Sequence, residues 1–174
     1  MILQVGCGNR QPNKDSIGID LSFPSWCKKY PTRFIRGDVK LLPFKNETFD
    51  GVIGKHIFEH FSRFNDEREY VLKEWERVIK PKGFLKIVVP NSECYARLLL
   101  NKTWNIDRFS FMMFGSQTNE GQFHYVAYNG DSLCKYIKKV LGKEWILEDL
   151  SYGGGYMGFS KFKDFEIRTV FRKK

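Results

Sequence analysis

The sequence has 174 residues, of which 42% are hydrophobic and 28% are charged. This composition supports the core of one domain and excludes a disordered or collagen-like chain. Lys and Arg number 29 against 20 Asp and Glu, so the formal net charge is +9. Such a field attracts anionic partners such as nucleic acid, although the basic residues are scattered and a solvated basic surface is the simpler interpretation.

Targeting signals and metal-binding patterns are not evident. The first residues lack the basic start and long apolar run of a secretion signal, and no stretch of about 18 uncharged apolar residues is present. We therefore expect a cytoplasmic protein that does not enter a membrane. The cysteines form no Cys-x-x-Cys pair and have no histidine at ligand spacing, which predicts free thiols and no metal. They are Cys7, Cys27, Cys94 and Cys134.

Four short apolar stretches in the first third of the chain are predicted as buried parallel strands. They span residues 2–5, 16–21, 33–36 and 49–53. The first ends at Gly6-Cys7-Gly8, the second at Asp20 and the third at Gly37-Asp38. Only eight residues, 9–16, separate Gly8 from the second strand, which is too few for a full crossover helix. The first crossover helix is therefore predicted to be short or absent.

A strong helical pattern covers residues 66–79, with Asn65 as the predicted N-cap. Pro81 and Gly83 are predicted to end this helix. The next stretch, residues 84–89, is apolar except for one lysine and is predicted as a central strand. A helix that delivers a parallel strand makes a right-handed βαβ unit, and this unit indicates the α/β class.

The last third of the chain predicts one more helix and two strands. The helix is capped by Asp131 or Ser132 and closed by Gly142, and residues 145–150 form the next strand. Residues 165–171 alternate between apolar and polar side chains, as in a half-buried strand that returns antiparallel. The predicted buried face comprises Phe165, Ile167, Thr169 and Phe171.

Together these elements predict a Rossmann-like α/β fold. Its sheet has about seven mostly parallel strands with an antiparallel last strand, and helices lie on both faces. We expect a single domain over residues 1–174, with an insert at about 91–129 that covers the site.

The carboxyl ends of the first three strands are the predicted site, because open parallel sheets bind ligands there. Glycines let the backbone approach a ligand closely, and a carboxylate at the end of the second strand can accept hydrogen bonds from ribose hydroxyls. Gln11 stands where a dinucleotide motif has its third glycine, and no helix N-terminus is available for a pyrophosphate. The pattern therefore favours a nucleoside ligand without phosphates.

These motifs resemble a known enzyme family. The stretches LQVGCGNR, SIGIDLS, GDVKLLPFKNETFDGVIGKHIFEHF and WERVIKPKGFLKIVVPN are similar to those of the class I S-adenosylmethionine-dependent methyltransferases, and most closely to the small subgroup related to the type 11 methyltransferase domain. The resemblance is close over residues 2–91. It implies S-adenosyl-L-methionine as the cofactor and methyl transfer as the activity.

The resemblance also implies which residues bind the cofactor. Residues 6–8 pass beneath its methionine part, Asp20 holds the ribose, residues 38–39 meet the adenine, and residues 55–56 lie near the sulfonium. The complete set is Gly6, Cys7, Gly8, Asp20, Leu21, Asp38, Val39, Lys55 and His56.

Two features depart from the family pattern. The family usually has helices ahead of the first strand, and it usually has a first crossover helix. We therefore expect another element to cover the cofactor, either the segment 92–129 or a second subunit of a homodimer.

Histidines are the candidate acid-base residues, because methyl transfer sometimes needs a base to take a proton from the acceptor. His60, in the Glu59-His60 pair, is interpreted as a structural residue that anchors the loop before the helix. His124 is the candidate catalytic base, with a histidine that hydrogen-bonds the backbone as the alternative.

The insert is dense in aromatic and methionine residues, which leaves three interpretations open: core packing, an acceptor pocket or a dimer interface. The residues are Tyr95, Trp104, Phe109, Phe111, Met112, Met113, Phe114, Phe123, Tyr125 and Tyr128.

The leading hypothesis is methyl transfer to a small-molecule, sugar or glycan acceptor. One alternative is a Rossmann-like binding module without catalysis. The other is a methyltransferase that acts on nucleic acid, which the net charge allows but no recognition motif supports.

Overall fold

The computed structural model describes residues 1–8, 14–22, 33–154 and 163–174. The strands are β1 (Ile2–Val5), β2 (Ser16–Asp20), β3 (Phe34–Arg36), β4 (Phe49–Lys55), β5 (Ile79–Pro90), β6 (Trp145–Gly153) and β7 (Glu166–Lys173). The helices are α1 (Glu67–Arg77), α2 (Ser92–Leu100), α3 (Ile106–Phe114) and α4 (Gly130–Leu141).

The seven strands form one sheet in the order β3-β2-β1-β4-β5-β7-β6. β1 pairs in parallel with β2 and β4, and β4 pairs in parallel with β5. Only β7 runs antiparallel, between β5 and β6. The predicted mostly parallel sheet with an antiparallel last strand is confirmed. Strand order reverses between β1 and β4, and in such sheets this reversal opens the ligand crevice at the carboxyl ends of the strands.

The main core lies around β1, β4, β5 and α1. Leu3, Val52 and Leu85 from the three central strands are fully buried, as is Trp75 of α1. The Trp75 indole donates a hydrogen bond of 3.0 Å from Nε1 to the carbonyl of Val39. The helix therefore fixes the backbone just beyond β3, at the ligand-binding edge of the sheet.

The predicted N-cap and end of α1 were wrong in detail. Asn65 and Asp66 both have left-handed backbone angles, in a 3-10 turn before the helix, and Asp66 is the N-cap without a side-chain hydrogen bond. The helix already ends at Arg77. Pro81 and Gly83 lie inside β5 instead, in an irregular part of its pairing with β4. Tertiary pairing overrode the local stop signals there.

The predicted cap of α4 was displaced by two or three residues. Asn129 is the N-cap: its side chain accepts from Ser132 N–H at 2.9 Å, and the Ser132 hydroxyl reaches back to the Asn129 backbone. This reciprocal pair is a capping box. Gly142 closes the helix with a positive φ of 79°, as predicted.

The segment 91–129 contains α2, α3 and a 3-10 turn at Glu120–Gln122. Part of its aromatic content is core. Tyr95 and Trp104 are buried against Phe165 at the start of β7, with centroid distances of 4.8 and 5.8 Å from the Phe165 ring. Phe111 and Tyr125 remain about half exposed. The core interpretation therefore holds for the first group and leaves the second available at the surface.

Some predictions fall on parts of the chain beyond the described residues. Cys27 and most of the connection 9–16 are among them. Cys7, Cys94 and Cys134 are buried. Cys94 and Cys134 are free thiols, as expected. Among the described residues, no helix is both long and apolar enough to cross a membrane.

Candidate active site

The glycine–aspartate edge comprises Gly6, Cys7, Gly8, Asp20 and Asp38, at the carboxyl ends of β1, β2 and β3. Gly6 N–H donates to the carbonyl of Ile19 at 2.9 Å, and Gly8 N–H donates to Oδ2 of Asp20 at 2.9 Å. The turn after β1 is thereby tied to the end of β2. The structure brings the predicted glycines and the predicted carboxylate into direct contact.

The two glycines of this turn have different surroundings. Both have positive φ, 60° at Gly6 and 52° at Gly8, a conformation that side chains disfavour. A Cβ at Gly6 would lie 2.1 Å from the Ile57 side chain, so Gly6 is needed for packing. A Cβ at Gly8 would meet no atom within 4 Å among the described residues. The backbone at Gly8 is therefore open to a ligand.

Asp20 is held in place by the backbone around it. Its Oδ1 accepts from Ser22 N–H at 3.1 Å, while Oδ2 accepts from Gly8. A carboxylate has about four acceptor positions, so both oxygens keep capacity for two hydroxyls. The next side chain, Leu21, is 64% exposed, and its carbonyl accepts from Arg36 Nε at 3.0 Å. Leu21 offers an apolar surface beside the carboxylate.

Asp38 repeats this arrangement after β3. Its Oδ1 accepts from Lys40 N–H at 2.8 Å, and its side chain is 42% exposed. Val39, the next residue, is buried and fixed through its carbonyl by Trp75. Asp20 and Asp38 thus stand at the ends of adjacent parallel strands, both partly exposed and both positioned by main-chain donors.

Lys55 and His56, at the end of β4, lie next to a buried carboxylate. Glu166 at the start of β7 is only 1% exposed. His56 Nε2 lies 2.9 Å from Glu166 Oε2, Lys55 Nζ lies 3.7 Å from Oε1, and Arg168 donates to Oε1 at 2.6 Å. Burial raises the pKa of Glu166, but hydrogen bonds from His56 and Arg168 outweigh burial and lower it to about 2.

His56 also turns the chain. Its backbone is left-handed, with φ 53°, which is uncommon for a residue with a Cβ. Burial lowers the pKa of its imidazole, but the hydrogen bond to Glu166 and the ion pair with Glu59 outweigh that effect and raise the pKa above its usual value. The turn leads through Ile57, which packs on Gly6, into a 3-10 turn at Phe58–His60.

The histidine corner comprises Glu59, His60 and His124. His60 Nδ1 lies 2.8 Å from the carbonyl of Phe123, and the rings of His60 and His124 meet edge to face at 4.9 Å. His60 therefore ties the turn before α1 to the segment 91–129. Burial lowers the pKa of His124, although the charge of Glu59 opposes this.

Glu59 is 1% exposed, and within the described residues neither of its carboxylate oxygens has a hydrogen-bond partner. The nearest cationic group is His56 Nδ1, 3.6 Å from Oε1. Burial raises the pKa of Glu59, but His56 outweighs burial and lowers it. The carboxyl group is therefore ionised at neutral pH and lies among imidazoles.

Sequence reasoning missed the role of Glu166 and the burial of Glu59. Alternation placed Glu166 on the less buried face of β7, yet it is as buried as Phe165. In the sequence, the only sign of this role was an acid at the start of the last strand. In the structure, this acid pairs with Pro90 at the end of β5. Only the position of β7 between β5 and β6 explains the burial.

A family model matches the first half of the chain. The sequence model described as "Methyltransferase domain" matches residues 3–87, which contain the whole glycine–aspartate edge and Glu59-His60. These residues match the domain of the S-adenosylmethionine-dependent methyltransferases, in agreement with the resemblance found in the sequence. The sheet order and the antiparallel β7 agree with that assignment.

The curated relatives that the chain matches have different acceptors. It is 33% identical over 109 residues to the tRNA (carboxymethyluridine(34)-5-O)-methyltransferase of Arabidopsis thaliana, covering 59% of this chain and 27% of that protein. It is 30% identical over 110 residues to the demethylmenaquinone methyltransferase of Thermotoga maritima, covering 60% and 43%. The alignments therefore span less than half the length of either relative.

A solved structure has the same fold as this chain. It is described as a SAM-dependent methyltransferase, possible histamine N-methyltransferase, from Thermotoga maritima. The TM-score is 0.67 at 18% identity, over 99% of this chain and 82% of that chain.

Proposed function

We propose that this protein binds S-adenosylmethionine at the glycine–aspartate edge and transfers its methyl group to a small-molecule, sugar or glycan acceptor. The observation that carries the proposal is the pair of backbone-held, partly exposed carboxylates, Asp20 and Asp38, beside the open backbone at Gly8. This edge suits a nucleoside, since hydroxyl and amino donors need acceptors while a phosphate would need donors.

Each part of the cofactor has an assigned position in this proposal. Residues 6–8 lie beneath the methionine part, Asp20 accepts from the ribose hydroxyls with Leu21 beside the ring, and residues 38–39 meet the adenine. Residues 55–56 form the wall near the sulfonium. Because Glu166 engages the side chains of Lys55 and His56, we expect their backbone rather than their charges to face the sulfonium cation.

S-adenosylmethionine supplies a methyl group on a sulfonium, which a nucleophile displaces in line. The protein must align the acceptor, exclude water and, for a hydroxyl acceptor, remove a proton. His124 is the proposed base, because burial keeps its imidazole unprotonated near neutral pH. The half-exposed Phe111 and Tyr125 are the proposed apolar contacts for the acceptor.

Calorimetry with S-adenosylhomocysteine tests cofactor binding. We expect the wild type to bind and Asp20→Ala to bind at least tenfold more weakly, since a hydrogen bond to a charged group is worth about 1.5–3 kcal/mol. Asp149→Ala is the matched control, because Asp149 is exposed on β6 at the other end of the strand order. No binding by the wild type, or equal binding by Asp20→Ala, contradicts the proposal.

Turnover separates an enzyme from a binding module without catalysis. Incubation with S-adenosylmethionine and a panel of phenols, sugars and glycans should release S-adenosylhomocysteine with at least one acceptor. His124→Asn should lower kcat while leaving S-adenosylhomocysteine affinity unchanged. Cofactor binding without release from any acceptor would favour the module.

A nucleic-acid acceptor is the second candidate. It is favoured by the net charge of +9 and by the similarity to a plant tRNA methyltransferase. A gel-shift titration with bulk tRNA at low and high salt tests it, together with transfer of labelled methyl groups to that tRNA. Salt-sensitive binding without label transfer would indicate only electrostatic attraction.

A further inference from the structure

We propose that Glu59, His60 and His124 bind a divalent transition-metal ion, with Zn²⁺ as the reference ion. One ligand atom from each of these residues lies within 4.8 Å of the other two. The residues come from two elements, the 3-10 turn after β4 and the segment that follows α3. The sequence analysis predicted no metal from the spacing of the cysteines. Glu59 and His60 are adjacent in the sequence, but His124 lies 64 positions after His60.

The buried carboxylate of Glu59 is the first observation that points to a cation. It is 1% exposed and neither oxygen has a hydrogen-bond partner among the described residues. His56 Nδ1, at 3.6 Å, forms an ion pair with Glu59 but no hydrogen bond. A buried carboxylate whose oxygens accept no hydrogen bond is expensive, and a cation bound directly to it would compensate its charge. Glu166 shows the contrast on the same sheet edge, since His56 and Arg168 both bond to its oxygens.

The second observation is the orientation of His60. Its Nδ1 lies 2.8 Å from the carbonyl oxygen of Phe123, so this nitrogen donates and carries the ring proton. In the neutral ring Nε2 then keeps its lone pair. Metal-binding histidines commonly donate their other ring N–H to a backbone carbonyl, which fixes the tautomer and the ring plane.

The third observation is that backbone contacts hold His124 against Glu59 and His60. His124 N–H donates to the carbonyl of Phe114 at 2.9 Å, and Tyr125 N–H donates to the carbonyl of Glu59 at 2.9 Å. The ring of His124 meets that of His60 at 4.9 Å. Ligand atoms around a tetrahedral ion with bonds of about 2.0 Å lie about 3.3 Å apart. The three ligand atoms here already lie within 4.8 Å of one another, so side-chain rotations without a backbone shift would bring them to that spacing.

The donor set decides the class of ion. Two imidazoles and one carboxylate suit Zn²⁺, Fe²⁺ or Co²⁺, whereas Mg²⁺ and Ca²⁺ prefer sites built from oxygens. Three protein ligands leave at least one coordination position for water or, if the proposed function holds, for an oxygen of the acceptor. Ligation uses the lone pair that a base needs, so with the ion bound His124 is a ligand and not the base.

The test uses the tag-free, chelator-treated full chain and two readouts. Calorimetry with ZnCl₂ should give one site per chain, and CoCl₂ should give the visible absorption of a low-symmetry Co²⁺ site. Glu59→Gln and His124→Asn should each weaken Zn²⁺ binding at least about tenfold. Glu69→Gln is the matched control, because Glu69 is an exposed acid on α1, and it should bind Zn²⁺ as the wild type does.

Two results overturn the metal proposal. One is a wild type that binds neither Zn²⁺ nor Co²⁺ at 100-fold molar excess, and the other is equal Zn²⁺ binding by wild type and Glu59→Gln. Circular dichroism of each variant confirms that it is folded. S-adenosylhomocysteine calorimetry on the same samples reports the proposed function separately, since Asp20 and Asp38 are not metal ligands here.

Discussion

At the glycine–aspartate edge, Asp20 and Asp38 accept hydrogen bonds from main-chain donors, two of which lie only two residues further along the chain. The buried acids near the other end of this edge are held differently. Glu166 depends on Lys55 and His56 at the end of β4 and on Arg168 within β7. Glu59 lacks hydrogen-bond partners among the described residues. Along one sheet edge, main-chain donors orient Asp20 and Asp38, whereas side chains surround the buried acids Glu166 and Glu59.

This difference separates a pre-formed site from one that needs an additional group. Main-chain donors keep the carboxylates of Asp20 and Asp38 oriented yet partly exposed, as binding of a neutral ligand part requires. Long-range side-chain contacts bury Glu166 and fully compensate its charge. Glu59 is equally buried but not compensated by hydrogen bonds, which is why we infer a missing cation there.

The largest expected effect comes from breaking the network of Glu166. Glu166→Gln removes the buried negative charge that faces the largely buried His56 and the partly exposed Lys55 and Arg168. We expect a loss of about 3 kcal/mol in the free energy of unfolding at pH 7, measured by urea denaturation. A loss below 1 kcal/mol would mean that this network does not stabilise the fold.

The same network predicts an acid-dependent stability. The pKa of Glu166 is lowered from 4.5 to about 2 in the folded state, so its stabilisation is complete above 4.5 and is lost as the pH falls through about 2. The difference in unfolding free energy between wild type and Glu166→Gln should therefore shrink between pH 4.5 and pH 2. Glu69→Gln serves as the control, and a difference that stays constant with pH would contradict this assignment.

The two glycines sharpen the comparison within the glycine–aspartate edge. Gly6→Ala adds a Cβ 2.1 Å from Ile57 at a positive φ, so we expect a loss of about 2–3 kcal/mol from overpacking and backbone strain. Gly8→Ala meets open space and should lose about 1 kcal/mol from strain alone. Only in Gly8→Ala should the loss of binding free energy for S-adenosylhomocysteine exceed the loss in the free energy of unfolding. Equal losses of stability would contradict the packing role of Gly6.

The smallest expected effect is on Glu59 in metal-free protein. Glu59→Gln removes both the cost of a buried charge and the ion pair with His56 Nδ1 at 3.6 Å. Because these two effects oppose each other, the free energy of unfolding should change by less than about 1 kcal/mol. With excess Zn²⁺, the midpoint temperature of thermal unfolding should rise for the wild type and stay unchanged for Glu59→Gln. The reason is that a ligand stabilises only a folded state that binds it. A loss above 2 kcal/mol without metal would assign Glu59 a partner in the apo protein.

Most of the fold and the glycine–aspartate edge could be predicted from local patterns. Short apolar runs that end in Gly6-Cys7-Gly8 and Asp20 indicated parallel strands and their carboxyl ends, and the structure places these residues together. The helix ends could not be predicted as well. Asn65 gave way to Asp66, and Asn129 replaced the expected caps of α4, because packing and chain direction select among neighbouring residues that can all cap a helix.

The sequence by itself determined the strand-end motifs, because glycine conformation and aspartate hydrogen bonding act over a few residues or between adjacent strands. Only the tertiary structure decided the neighbours of Glu59 and Glu166. His60 meets the carbonyl of Phe123 across 63 positions, and His56 meets Glu166 across 110. Such contacts depend on how the segment 91–129 and β7 return to the sheet, and no local pattern encodes that path.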